Sequence, residues 1–148
     1  MVFDYNLMLM DGSIVATTAT DTPAISTTRD AATGAAVIDI GAGGTPADGL
    51  VAVLFCSDLA VGADAYTLTA YLQASDTADM TGTTTGIDRL GSFGVANATT
   101  GVILGSETPC VALVRFATKK RYVRINATVS NDFGYLTCLI VPWAFKVL

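Results

Sequence analysis

Twelve aspartates and one glutamate are the first residues in this chain that could do chemistry. Hydrolysis of a glycosidic bond needs two carboxylates held at a set separation, and calcium needs several oxygen ligands that converge. Neither pattern is written in the spacing. Most of the aspartates stand beside Gly, Ala or Thr, where Asp closes turns, and Asp11-Gly12-Ser13 has the wrong order for an aspartic-protease motif. Asp58, Asp64, Asp76 and Asp79 lie near loops that could meet around a cation, yet none fits the twelve-residue calcium loop. Capping or solvated roles account for them better. The absence of histidine removes the commonest general base, the commonest metal ligand and the usual activator of Ser or Cys. Cys56, Cys110 and Cys138 are odd in number, far apart in sequence and without a C-x-x-C pair, and they read as reduced, buried thiols. The run Gly41-Ala42-Gly43-Gly44 lacks the lysine and the following helix of a phosphate loop, so it reads as a turn. The sequence therefore predicts no catalytic residue, no metal ligand and no cofactor, and a protein that is not an enzyme.

What remains is a set of residues suited to contact. Lys119-Lys120-Arg121, with Arg115 and Arg124, is the one basic cluster. A nucleic-acid site wants more positive charge and aromatic stacking partners, and a pI of 4.3 argues against one. A loop that faces an acidic protein surface explains the cluster more simply. The tail Val141-Pro142-Trp143-Ala144-Phe145-Lys146-Val147-Leu148 is unusually apolar for a chain end, and Trp143 and Phe145 either close the core or anchor a subunit contact. At the other end Phe3, Leu7 and Leu9 are too apolar for a free arm, so residues 1–12 are expected to lie across the core or a neighbour. Tentative contact residues are thus Phe3, Tyr5, Leu7, Arg115, Lys119, Lys120, Arg121, Arg124, Trp143 and Phe145. Two sequons, Asn97-Ala98-Thr99 and Asn126-Ala127-Thr128, read as chance matches.

The elements that must position these residues are strands. From Arg121 to Val129 the chain alternates strictly, with Val123, Ile125, Ala127 and Val129 on a dry face and Tyr122, Arg124, Asn126 and Thr128 on a wet one. Val111 to Phe116 before it and Leu136 to Val141 after it are also β-type, and Asn131-Asp132-Phe133-Gly134 is a turn cluster. The expectation is three antiparallel strands in a row. Further strands are expected at Ile14 to Thr18, Val37 to Ile40, Tyr66 to Ala74, 88–93 and 102–104, and Leu50 to Cys56 reads as a strand buried on both sides. Asp11-Gly12 signals a turn, and residues 19–35 and 75–87 read as loops. No segment carries apolar spacing of three and four over several turns. About eight short strands in one domain over residues 1–148 predict an all-β antiparallel sandwich or jelly roll.

Composition points the same way. Hydrophobic residues make up 51% and charged residues 14%, against about 25% charged in ordinary domains. Such a chain covers its surface with Thr, Ser, Asn and Gly, or hides part of it against partners. No apolar run approaches the roughly 18 residues of a membrane helix, and no signal peptide is expected. The net charge of −5 conceals two poles. Residues 1–114 hold two basic and twelve acidic groups, and residues 115–148 hold six basic groups against Asp132 alone. These poles suit self-association or docking on a charged lattice; equally, they can neutralise each other within one fold.

Four stretches, in order, resemble the small capsid cement (decoration) proteins of tailed phages, the jelly-roll family typified by the cement protein of a Bordetella phage. They are Asp4 to Asp11 followed by Ile14-Val15-Ala16-Thr17-Thr18-Ala19-Thr20; Val37-Ile38-Asp39-Ile40-Gly41; Tyr66-Thr67-Leu68-Thr69 running to Ser75-Asp76; and Arg121-Tyr122-Val123-Arg124 with its continuing strand. The chain departs from the family at residues 21–36 and in its apolar tail. The resemblance implies a non-enzymatic virion protein on the outside of a capsid, assembled in the bacterial cytoplasm. It implies two partners, the major capsid protein and further copies of the chain as a homodimer or homotrimer, with no nucleic acid and no membrane. A β-sandwich module for carbohydrate or a host surface, with exposed aromatics such as Tyr71 or Trp143, is the alternative reading.

Overall fold

In the computed structural model, the residues described are 7–15, 28–29, 36–56, 67–78, 80, 86–97, 110–129 and 135–142. They form β1 (Met8–Val15), β2 (Thr28–Arg29), β3 (Ala36–Asp39), β4 (Leu50–Cys56), β5 (Thr67–Ser75), β6 (Ile87–Asn97), β7 (Cys110–Phe116), β8 (Tyr122–Val129) and β9 (Tyr135–Pro142), with no α-helix among the described residues. One sheet has the order β1-β9-β4-β7 and the other β2-β3-β8-β5-β6. Every pairing is antiparallel. Apart from the two-residue β2, the pairings are nested: β1 with β9, β3 with β8, β4 with β7, β5 with β6. A long hairpin wrapped on itself gives this order, which is the two-sheet jelly roll.

Alternation explains the core. Leu50, Ala52 and Leu54 of β4, Leu136, Cys138 and Ile140 of β9, and Val114 and Phe116 of β7 point inward from the first sheet. Ala70, Leu72 and Ala74 of β5, Val123, Ile125 and Ala127 of β8, Ile38 and Phe93 meet them from the second in one cluster. Successive strand residues project to opposite faces, so each of these triads occupies one side of its strand. Both layers mix small residues (Ala52, Ala70, Ala74, Ala127) with larger ones (Leu54, Leu72, Phe93, Phe116) in this cluster, as interdigitating sheets do.

Several expectations change. Strands β7, β8 and β9 exist where the sequence predicts them, but they are not paired in a row, because β8 lies in one sheet and β7 and β9 in the other. The Asn131–Gly134 cluster lies outside the described residues. Asp11-Gly12 is not a turn; both residues lie within β1, whose register with β9 shifts twice, between Met8 and Met10 and between Asp11 and Val15. Irregular pairing is where a strand accommodates such residues. The loop expected over 19–35 contains β2, which pairs with Ala36 and Val37. Strand β6 is longer than 88–93, and 102–104 lies outside the described residues. Strand β4 is central, flanked by β9 and β7, and is buried on both sides only in part: Val51 on its outer side is buried and Val53 half-buried, but Phe55 is exposed.

Candidate docking surface

The rim of the sandwich is built by two interlocked loops, residues 40–49 between β3 and β4 and residues 117–121 between β7 and β8. Thr45 N donates to Thr118 O at 2.9 Å, and Thr118 N donates back to Thr45 Oγ1 at 3.1 Å. Lys120 N donates to Thr118 Oγ1, and Ile40 N to Arg121 O. Gly44 makes this approach possible: its φ is +71°, and a Cβ there would strike Thr118 O and come within 2.7 Å of the Lys119 Cα.

On this rim the basic cluster is divided. Arg121 grips Asp39 with Nε at 3.0 and 3.1 Å and Nη2 at 2.7 Å, and Asp39 Oδ1 also accepts from Gly41 N at 2.9 Å. Lys120 Nζ donates to Asp76 Oδ2. Part of the charge asymmetry is thus neutralised within the fold. Lys119 and Arg115 are exposed, and Arg115 Nη2 lies 3.5 Å from Asp48 O, the outer limit of a hydrogen bond. Hydrogen bonding from Arg121 holds the Asp39 carboxyl below its ordinary range, and hydrogen bonding to Asp76 raises Lys120. A depressed carboxyl stabilises the fold above its unfolded pKa of about 3.9, and that contribution is lost as pH falls through the lower folded value. Arg121→Ala is accordingly expected to flatten the decline of the thermal midpoint below about pH 4. The shift should be small, because the pair is exposed, and an unchanged acid limb would dismiss it.

The outer face of the five-stranded sheet is polar. Arg124, expected on the wet face, is 6% exposed and donates from Nε to Gln73 Oε1 at 2.9 Å. Its strand is central, and Gln73 stands directly opposite it in register, so neighbours cover its stem. The Arg89 guanidinium sits 3.7 Å above the Tyr71 ring, so that face of the ring is not open to a sugar.

The outer face formed by β9, β4 and β7 is largely apolar, with Val51 and Leu139 on it buried. Register places Leu139, Val53 and Leu113 in one row across β9, β4 and β7; Thr137, Phe55 and Val111 form the next, and Val141, Val51 and Arg115 the row on the other side. Leu113 is 64% exposed, Val111 58% and Phe55 39%. These residues are missing from the sequence-based contact set, although a signal for them exists. Val111-Ala112-Leu113-Val114 is apolar at both parities, which makes a strand with two dry faces. Arg115 shares their outward face, so the apolar rows run into the basic rim.

Of the other expected contact residues, Leu7 is partly buried against the core, while Phe3, Tyr5, Trp143 and Phe145 lie outside the described residues. So do Asp58, Asp64 and Asp79; Asp76 is engaged by Lys120. Among the described residues no three His, Cys, Asp or Glu side chains gather as a metal site. Cys138 is fully buried, which pushes its thiol far up and makes it inert as a nucleophile. No protein-family model matches this chain, and no curated protein matches its sequence.

Proposed function

We propose that this protein is a capsid cement protein of a tailed phage, which binds the outside of the shell and bridges neighbouring major capsid proteins. One observation carries the reading: a jelly roll whose four-stranded sheet leaves Phe55, Val111 and Leu113 open on its outer face. Because Val51 and Leu139 on the same face are buried, the open apolar part is confined to the adjacent rows of β4 and β7 that hold Phe55, Val111 and Leu113. A contiguous group of exposed apolar side chains next to a polar rim is a common form of interaction site. This group is smaller than the roughly 800 Å² per partner of a standard interface. It therefore serves as the dry centre of a contact whose polar border is the rim bearing Arg115 and Lys119. Self-association as a dimer or trimer would let one assembly touch two capsomers, and the second contact then forms at high effective concentration.

The test is co-sedimentation of the purified protein with emptied tailed-phage shells stripped of their decoration protein, alongside its native mass. Saturable binding at a fixed ratio to the shell protein, with shells that then survive heating better, is the expected result. A monomer that leaves the shells untouched would overturn the reading.

A further inference from the structure

The three cysteines, far apart in sequence, converge in the fold. Cys56 is the register partner of Cys110 across β4 and β7, and Cys138 stands opposite Leu54, two residues along β4. Directly opposed residues in an antiparallel pair have Cα atoms about 4.5 or 5.5 Å apart. Both values fall inside the range of about 4.4–6.8 Å that a disulfide spans. Opposed residues also share a face of the sheet. The register from Leu50↔Phe116 to Cys56↔Cys110 is unbroken, with no bulge to move the two positions apart.

We propose that Cys56 and Cys110 form an oxidation site, at which a disulfide closes across β4 and β7 and pins the edge strand to the sheet. The two positions are the last residue of β4 and the first of β7, at a corner of the sheet where β7 has no further neighbour among the described residues. The reaction takes a low-molecular-weight disulfide such as oxidised glutathione. One cysteine thiolate attacks a glutathione sulfur, forming a mixed disulfide and releasing one glutathione thiolate. The second cysteine thiolate attacks the protein sulfur of that bond and releases the other. Two protein S–H bonds are lost, one S–S bond is gained, and the two electrons reduce oxidised glutathione to two thiols. The closed loop encloses residues 57–109, so the bond constrains a large part of the unfolded chain. It also holds in place the strand that displays Val111 and Leu113. The inference rests on strand register and is independent of what the apolar face binds.

The full chain, incubated with oxidised or reduced glutathione, is compared by intact mass, peptide mapping and thermal unfolding. Oxidation is expected to remove two hydrogens from the monomer and to link the peptides that contain residues 56 and 110. It should raise the unfolding midpoint by about 10 °C, reversibly on reduction. Cys138→Ala should retain the link, and Cys110→Ala should lose it. The wild-type comparison stands alone if either variant fails to fold. Glutathione adducts without an internal bond, a bond that uses Cys138, or a bond without thermal gain would each overturn the proposal.

Discussion

Gly44→Ala is expected to cost about 3 kcal/mol of folding stability or more, read from urea unfolding midpoints at constant slope. Two effects combine at this position. The positive φ is a conformation that an L side chain adopts only with strain. The added methyl group also points into backbone, at Thr118 O and the Lys119 Cα, which cannot swing aside as a flexible side chain would. To make room, the loop must withdraw and break the paired hydrogen bonds between Thr45 and Thr118. Gly41 supplies the control. Its φ is +93°, but nothing lies within 4 Å of a Cβ built there, so Gly41→Ala carries the conformational cost alone, about 1 kcal/mol. Equal costs for the two variants would mean that the loops are not interlocked. A large gap between them would establish that the rim carrying Arg115 and Lys119 is held rigidly by backbone.

Single strands were easy to read from the sequence and their pairing was not, for a physical reason. Alternation is local: Val123, Ile125 and Ala127 declare the dry face of β8 within five residues, and Ala70, Leu72 and Ala74 do the same for β5. Pairing is decided by which apolar faces meet. In this fold Met8 meets Leu139 from the opposite end of the chain, while the sequence neighbours β7 and β8 separate into different sheets. No pattern within β7 says so. The charged cluster shows a similar limit. Nothing local to Lys120-Arg121 reveals that Asp76 and Asp39 wait beside them, yet these two carboxylates engage two of the four cationic residues Arg115, Lys119, Lys120 and Arg121 in ion pairs. The apolar outer face has a subtler cause. A strand apolar at both parities is read as covered by its own chain, but Phe55, Val111 and Leu113 have the composition of buried residues and the exposure of surface ones. Sequence alone does not distinguish a strand already covered from one that another molecule covers.

That distinction gives the second large effect. The double variant Val111→Asp/Leu113→Asp is expected to weaken binding to stripped phage shells at least 100-fold, equivalent to about 2.8 kcal/mol. Both side chains project from an edge strand into solvent and are more than half exposed, so the free protein loses few contacts. Its stability should fall by no more than about 1–2 kcal/mol, mostly from the poor fit of Asp in a strand. In the proposed complex the same positions would sit at the dry centre of the contact, where two carboxylates must shed water without a partner. If the facing shell surface is acidic, as the basic rim implies, like charges add to the penalty. Arg89→Ala, on the polar outer face of the other sheet, removes the stack on Tyr71 and should leave shell binding unchanged. Raising the salt should weaken wild-type binding only in part, because screening acts on Arg115 and Lys119 but not on the apolar rows. Full binding by the double aspartate variant, with its fold confirmed by circular dichroism, would move the docking site off this sheet. Equal loss in Arg89→Ala would move it to the opposite face.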